Sequence, residues 1–134
     1  MREIKFRAFD KRSRVMVQLI GVRETYNDGW ADYFYRSEDD EMQLCRAKIE
    51  DIEMTQYTGL KDKNGIEIYE GDIVNCIECE CCGYIGWNDS EAGFYFNILL
   101  EDGRYEEEQL YDYVDELEVI GNIYENKDLL KISK

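Results

Sequence analysis

Apolar and polar side chains alternate at the start of the chain. Over residues 4–8, the three even-numbered positions are apolar and the two odd-numbered positions are charged. Because successive side chains of a strand point to opposite faces, this period of two predicts a half-buried strand. A polar turn occupies 10–14 and a second apolar run covers 15–20. The pattern therefore predicts that the fold begins with an antiparallel hairpin.

Short apolar runs separated by turn residues continue to the end of the chain. Asn64–Gly65 is the strongest turn signal, because both residues tolerate positive φ. Residues 42–58 fit either a strand or a short turn of helix, and the acidic stretch 105–116 allows a helical turn around 110–114. Asn126 is placed to cap a short helix over 127–130. Further strands are predicted at 30–35, 66–69, 84–87, 94–100 and 119–123, with another starting at 73.

These elements predict a mainly β fold. We expect a β-rich region at 1–55, an antiparallel hairpin or meander packed on the rest of the chain or on a neighbouring subunit. Residues 56–134 are expected to form a small barrel of about five strands with a terminal helical turn. A length of 134 residues suits one compact domain or two very small ones.

Composition removes several classes of function. The chain has no His, which excludes Ser-His-Asp triads, Cys-His pairs and His-ligated zinc. Lys and Arg number 16 against 31 Asp and Glu, and the net charge of −15 disfavours direct binding of nucleic acid or of anionic membranes. No apolar run approaches the roughly 20 residues that cross a bilayer, and no signal peptide is evident. We therefore expect a cytoplasmic protein without a membrane partner.

The charge is unevenly distributed. Residues 1–14 carry a net +4, the remaining 120 carry −19, and 101–118 alone hold nine acids and one Arg. A basic hairpin of this kind either binds the acidic surface of a neighbouring copy or lies against the chain's own acidic region. The candidate interaction residues are Arg7, Arg12, Glu106, Glu107, Glu108, Tyr111 and Tyr113.

The cysteines form the sharpest local cluster. Cys76, Cys79, Cys81 and Cys82 lie within seven residues, and Cys45 is the fifth cysteine. Two thiolates in a C-x-x-C spacing can share one tetrahedral metal, so these four are candidate zinc ligands, with Cys45 able to complete a set. Reduced structural cysteines and a redox sensor are the other interpretations. No phosphate-binding glycine loop is present, and adjacent carboxylates carry little information among 31 acids.

Several segments together resemble the YopX-like proteins of phages and prophages. They are Arg2-Glu3-Ile4-Lys5-Phe6-Arg7-Ala8-Phe9-Asp10, Gln56-Tyr57-Thr58-Gly59-Leu60-Lys61-Asp62-Lys63-Asn64-Gly65, Ile68-Tyr69-Glu70-Gly71-Asp72-Ile73-Val74, and Val119-Ile120-Gly121-Asn122-Ile123-Tyr124-Glu125-Asn126. The resemblance implies a phage- or prophage-encoded protein of the bacterial cytoplasm, an SH3-like barrel in the C-terminal part and association into homo-oligomers. It supplies no activity, because the family is without an established biochemical role. The chain departs from the family pattern at Lys127, where the family has Pro, and in its cysteine cluster.

We therefore expect a non-enzymatic protein-interaction module without a cofactor, which binds its own copies or a host or phage protein. One alternative is an acidic mimic of nucleic acid that occupies a DNA-binding protein. Another is a protein that binds a metal such as zinc through its cysteines.

Overall fold

The computed structural model describes residues 3–25 and 29–130, which fall into two compact units. The N-terminal unit comprises Glu3–Gln56, and the C-terminal unit continues from Tyr57. Each is built from antiparallel strands, so the chain is mainly β, as its alternating pattern predicts. Among the described residues, no helix has the length and apolar character needed to cross a membrane.

The N-terminal unit is an antiparallel sheet in the order β4-β3-β2-β1-β5, where the first half of β5 pairs with β1. The predicted hairpin of β1 and β2 is confirmed. The ambiguous segment 42–58 resolves into β4, a 3₁₀ turn at Ile49–Asp51 and part of β5. The strand bounds are Phe6–Asp10 for β1, Val15–Thr25 for β2, Trp30–Arg36 for β3, Met42–Lys48 for β4 and Ile52–Lys61 for β5.

Asp10 sets the turn between β1 and β2. Its Oδ1 accepts backbone N–H bonds from Arg12 at 2.9 Å and Ser13 at 3.3 Å. Arg14 closes the turn in the left-handed region, at φ 60°, and donates its backbone N–H to the Asp10 carbonyl oxygen at 2.7 Å. A short acidic side chain at the first turn position makes these bonds readily, because its oxygens reach the N–H groups two and three residues ahead.

The C-terminal unit contains a five-stranded antiparallel sheet in the order β10-β9-β8-β7-β11, and the second half of β5 pairs with β6. The core lies on one face of this sheet and comprises Ile68, Val74, Cys76, Ile85, Phe96, Leu110 and Leu117. The bounds are Glu67–Tyr69 for β6, Asp72–Cys76 for β7, Cys81–Asn88 for β8, Gly93–Leu99 for β9, Tyr105–Gln109 for β10 and Leu117–Asn122 for β11.

The predicted SH3-like barrel is not confirmed, because the described residues form no closed barrel. Closure would need hydrogen bonds between the edge strands β10 and β11. Instead, 3₁₀ turns at Leu110–Asp112 and Val114–Glu116 carry the chain from one edge to the other. Strand β10 itself was missing from the sequence prediction.

The predicted C-terminal helix is a single 3₁₀ turn at Lys127–Leu130. Leu129 donates its N–H to the Asn126 carbonyl oxygen, which is the i→i+3 bond of a 3₁₀ turn. Asn126 does not act as predicted, because its side-chain oxygen accepts the Asn122 N–H at 3.1 Å and so faces back towards β11.

Candidate functional site

The cysteine-rich segment forms the hairpin between β7 and β8. Cys76 ends β7, Cys81 begins β8, and the two residues pair directly. Cys79 lies in the four-residue turn, and its sulfur is 3.9 Å from the Cys76 carbonyl oxygen. The three Sγ atoms lie within 4.8 Å of one another, and Cys79 is joined to Cys81 by a disulfide. Pairing and turn thus bring three of the four predicted metal ligands together.

The fourth predicted ligand, Cys82, lies apart from this cluster. It follows Cys81 along the same strand, so its side chain faces the opposite side of the sheet. Cys45 is on β4 of the N-terminal unit and belongs to a different set of neighbours. Of the predicted metal ligands, the structure therefore brings together Cys76, Cys79 and Cys81.

A carboxylate that the sequence did not single out accompanies the three sulfurs. The Cys76 thiol donates a hydrogen bond to Oε2 of Glu116 at 3.6 Å. Glu116 ends the 3₁₀ turn before β11, and the next residue, Leu117, pairs with Cys76 in the sheet. Forty residues separate Glu116 from Cys76, and one acid among 31 carries no local signal of this contact.

Tyr111 and Tyr113, predicted as interface residues, lie in different environments. The Tyr111 side chain is 75% exposed. The Tyr113 ring packs edge-on against Phe96 with centroids 5.7 Å apart, so much of its surface joins the core. The negative charge of Glu108 raises the pKa of Tyr113, and desolvation and Cys76 raise it further. Tyr111 is therefore the better placed of the two to meet a partner.

The predicted acidic triplet lies on β10, an edge strand of the C-terminal sheet. Glu106 and Glu108 share one face of the strand, whereas Glu107 points to the other face and accepts a hydrogen bond from the Asn88 side-chain amide. Charged residues on an edge strand discourage pairing with another chain. This edge is consequently protected, and its three charges do not form one continuous surface.

Strand β4, the edge of the N-terminal sheet, has the opposite character. It pairs with β3 over its full seven residues without a bulge. Met42 and Leu44 on its outer face are 64% and 59% exposed, and residues 42–45 carry no charge. The Arg46 and Lys48 head groups lie over the Trp30 ring, 5.7 and 5.8 Å from its centroid. The first half of this edge, residues 42–45, is therefore uncharged and carries two exposed apolar side chains, and such a segment is a template for strand pairing.

Tyr33 and Asp10 form a buried polar pair in the N-terminal unit. The Tyr33 hydroxyl donates to Oδ2 of Asp10 at 2.9 Å, and both side chains are largely buried. Burial raises the pKa of Tyr33, and the neighbours Cys45 and Asp10 raise it further. A pocket of about 360 Å³ lies beside the pair, lined by Asp10, Arg12, Ser13, Cys45, Arg46, Ala47, Lys48 and Asp51.

The pair makes stability depend on pH. Burial raises the pKa of Asp10, but hydrogen bonds from Tyr33, Ser13 and Arg12 outweigh this effect and leave the pKa below its ordinary value of 3.8. The resulting stabilisation is present above that value and is lost as pH falls through the lowered pKa. We expect Tyr33→Phe to cost about 1.5 kcal/mol at pH 7 and progressively less as pH falls below 3.8 towards the lowered pKa.

Urea unfolding of the wild type and Tyr33→Phe at pH 7, 5 and 3 measures this difference. Tyr35→Phe, on the same strand and with its ring 5.9 Å from that of Tyr33, is the control and should show a small, pH-independent effect. A stability difference for Tyr33→Phe that stays constant down to pH 3 would contradict the assignment.

The predicted basic residues do not form one surface. Arg7 is half-buried within β1, where it pairs with Gln18 and Thr55. Arg12 is exposed in the β1–β2 turn and lines the pocket. The whole N-terminal unit holds nine Lys and Arg against twelve Asp and Glu, so its charge is nearly balanced.

The chain is similar to two solved structures over nearly its whole length. Protein EF1440 from Enterococcus faecalis is 26% identical with a TM-score of 0.57, and protein yopX from Bacillus subtilis is 18% identical with a TM-score of 0.54. Each comparison covers 98% of this chain and 100% of the other. No curated protein matches the chain. Residues 5–131 match the sequence profile of the family described as "YopX protein", and the chain therefore belongs to the YopX family.

Proposed function

We propose that this protein is a non-enzymatic interaction module that binds a second copy of itself through the edge strand β4. The observation that carries the proposal is the contrast between two edge strands, one from each sheet. Strand β10 of the C-terminal sheet presents three glutamates, whereas the first half of β4 in the N-terminal sheet presents exposed apolar side chains and no charge. An uncharged, apolar edge segment is stabilised when another strand pairs with it.

Charge complementarity favours a second copy as the partner. The turn before β4 is acidic over 38–41, and Arg46 and Lys48 follow at the other end of the strand. Two copies of β4 in antiparallel register would bring the acidic end of one against the basic end of the other. In a register centred on Leu44, for example, Lys48 of each copy stands opposite Asp40 of the other. Such matched ends fix orientation and favour self-recognition over pairing with unrelated strands.

Substituting Leu44 tests the proposal. Leu44→Lys places a charge in the uncharged half of the edge, and we expect the dissociation constant of the self-complex to rise at least about tenfold. Because Leu44 is 59% exposed, the variant should stay folded. Size-exclusion chromatography with light scattering gives the mass at low and high salt. Higher salt should also weaken the wild-type complex, because the matched ends are charged.

Ile66→Lys is the matched control, since Ile66 is 53% exposed and lies in the turn between β5 and β6, away from β4. It should leave the mass of the complex unchanged. A wild type that is monomeric at both salt concentrations would overturn the proposal, as would a Leu44→Lys variant that associates as strongly as the wild type.

The C-terminal unit supports a finer proposal about its architecture. The five-stranded order β10-β9-β8-β7-β11, with 3₁₀ turns before the last strand, is compatible with an SH3-like barrel that stays open between its two edges. Membership of the YopX family supports a phage or prophage origin and work in a bacterial cytoplasm. Recovery of the native protein in the soluble fraction of lysed bacterial cells would test the compartment.

A further inference from the structure

We propose that Cys76, Cys79, Cys81 and Glu116 form a binding site for a thiophilic divalent cation, with zinc as the expected ion. This set of ligands differs from the one that the cysteine spacing predicts. Cys82 is not part of it, because its side chain lies on the other face of the sheet, and the Glu116 carboxylate from a distant segment takes its place. Three thiolates and one carboxylate form a four-ligand set of the kind that tetrahedral zinc accepts.

The distances suit a shared ion. Sulfur and carboxylate ligands of a tetrahedral zinc, at about 2.3 and 2.0 Å from the metal, stand roughly 3.5 Å apart. The Cys76 sulfur and the Glu116 oxygen are separated by 3.6 Å. Two sulfur ligands of one zinc stand roughly 3.8 Å apart, and the Cys76 sulfur lies within 4.8 Å of the two sulfurs that the disulfide joins. Reduction has to separate the two bonded sulfurs, and the Glu116 side chain, which lies outside the group of three sulfurs, has to turn towards Cys79 and Cys81 to complete the site.

The backbone holds the ligands from three directions. Cys76 and Cys81 are opposite each other at the end of the β7–β8 pair, and Cys79 lies in the turn that joins these two strands. Glu116 directly precedes β11, which pairs with β7 on its other side. Because three elements are already fixed by sheet hydrogen bonds, little conformational entropy is lost when a cation binds.

Burial and charge also favour a cation at this position. Of the three cysteines, Cys76 is fully buried, Cys81 is half-buried and Cys79 is exposed. An ion can therefore reach the site from solvent on the Cys79 side and contact the buried Cys76 sulfur. Glu78 and Glu80, both exposed in the same turn, add negative charge around the entrance. Their field raises the local concentration of divalent cations.

The disulfide between Cys79 and Cys81 makes the site dependent on redox state. Two molecules of a low-molecular-weight thiol reduce it by exchange: they supply two electrons and two protons, leave as their own disulfide, and convert both cysteines to thiols. The three thiols then release their protons as the cation binds their sulfurs. Since sulfurs joined in a disulfide are not thiolate ligands, the oxidised chain lacks two of the four ligands.

Metal titration of the full-length chain tests the proposal. After reduction and removal of excess thiol without a chelator, we expect about one equivalent of zinc per chain. Cobalt(II) should give the intense visible absorption and the sulfur-to-metal charge-transfer band of a tetrahedral thiolate site. Cys79→Ser and Cys81→Ser should each weaken zinc binding at least about 100-fold, measured by competition with a chromophoric chelator. Glu116→Gln should weaken it about tenfold.

Cys82→Ser and Cys45→Ser are the matched controls and should bind zinc within twofold of the wild type. Circular dichroism checks that every variant is folded, and Cys76 is left intact because it lies in the core. Less than a tenth of an equivalent of zinc on the reduced wild type would overturn the proposal. Equal binding by the oxidised and reduced chains would also overturn it, as would a Cys82→Ser variant that loses zinc as Cys79→Ser does.

Discussion

Asp62→Ala is expected to lower the free energy of unfolding of the C-terminal unit by about 3 kcal/mol, because three backbone N–H groups lose one buried acceptor. Oδ1 of Asp62 accepts from Asn64 at 2.8 Å and Ile66 at 2.9 Å, and Oδ2 accepts from Val119 at 2.9 Å. The residue is 6% exposed. One carboxylate therefore fixes the β5–β6 turn and also ties it to β11.

Thermal and urea unfolding, followed by Trp87 fluorescence in a Trp30→Phe background, report on the C-terminal unit. The expected loss corresponds to a Tm roughly 15 °C lower for a unit of this size. Asp102→Ala is the matched control: Asp102 accepts the Arg104 N–H in a similar turn but is half exposed, so its removal should cost less than about 1 kcal/mol. Equal losses for the two variants would refute the role given to Asp62.

The second large effect is expected at Gly83, where any side chain collides with the neighbouring strand. Gly83 pairs with Val74 on one side and Ile98 on the other, in the middle of the five-stranded sheet. A Cβ at this position would overlap the carbonyl group of Asn97 and lie 2.9 Å from the Phe96 ring. Backbone atoms cannot rotate away, so Gly83→Ala should cost at least about 3 kcal/mol.

The same unfolding experiment measures this cost. Gly93→Ala is the control, because the nearest atom to its Cβ is the Tyr95 ring at 3.6 Å, an ordinary contact. We expect a change within about 1 kcal/mol for Gly93→Ala, since the alanine also restricts the unfolded chain. If Gly83→Ala unfolds at the same urea concentration as the wild type, the close approach of β8 and β9 at this point is wrong.

The turns were predictable from the sequence because their causes are local. Asn64–Gly65 lies in the expected turn, with Gly65 at φ 81° and its N–H bonded to the Asp62 carbonyl oxygen. Asp62 bonds the backbone of its own turn, as a short acidic side chain readily does. Its bond to Val119, 57 residues away, depends on how the sheet is assembled, and no local pattern contains that information.

Strand β10 shows where the period of two fails as a signal. Glu106, Glu107 and Glu108 offer no apolar alternation, and Glu has low strand propensity. Pairing with β9 makes the segment a strand, since each residue from 105 to 109 has a partner there. The candidate metal site also has one part that the sequence predicts and one that it does not. The C-x-x-C spacing indicated Cys76 and Cys79, whereas Glu116 approaches them only because β11 pairs with β7.

The edge formed by β4 also sets a limit on stoichiometry. When both copies use the same edge in antiparallel register, the contact is isologous, and forming it consumes the edge of each copy. A head-to-tail contact, by contrast, would leave one free edge per added subunit and would grow into a filament. The glutamates of β10 also discourage pairing at that edge. Assembly through β4 alone should therefore end at a pair.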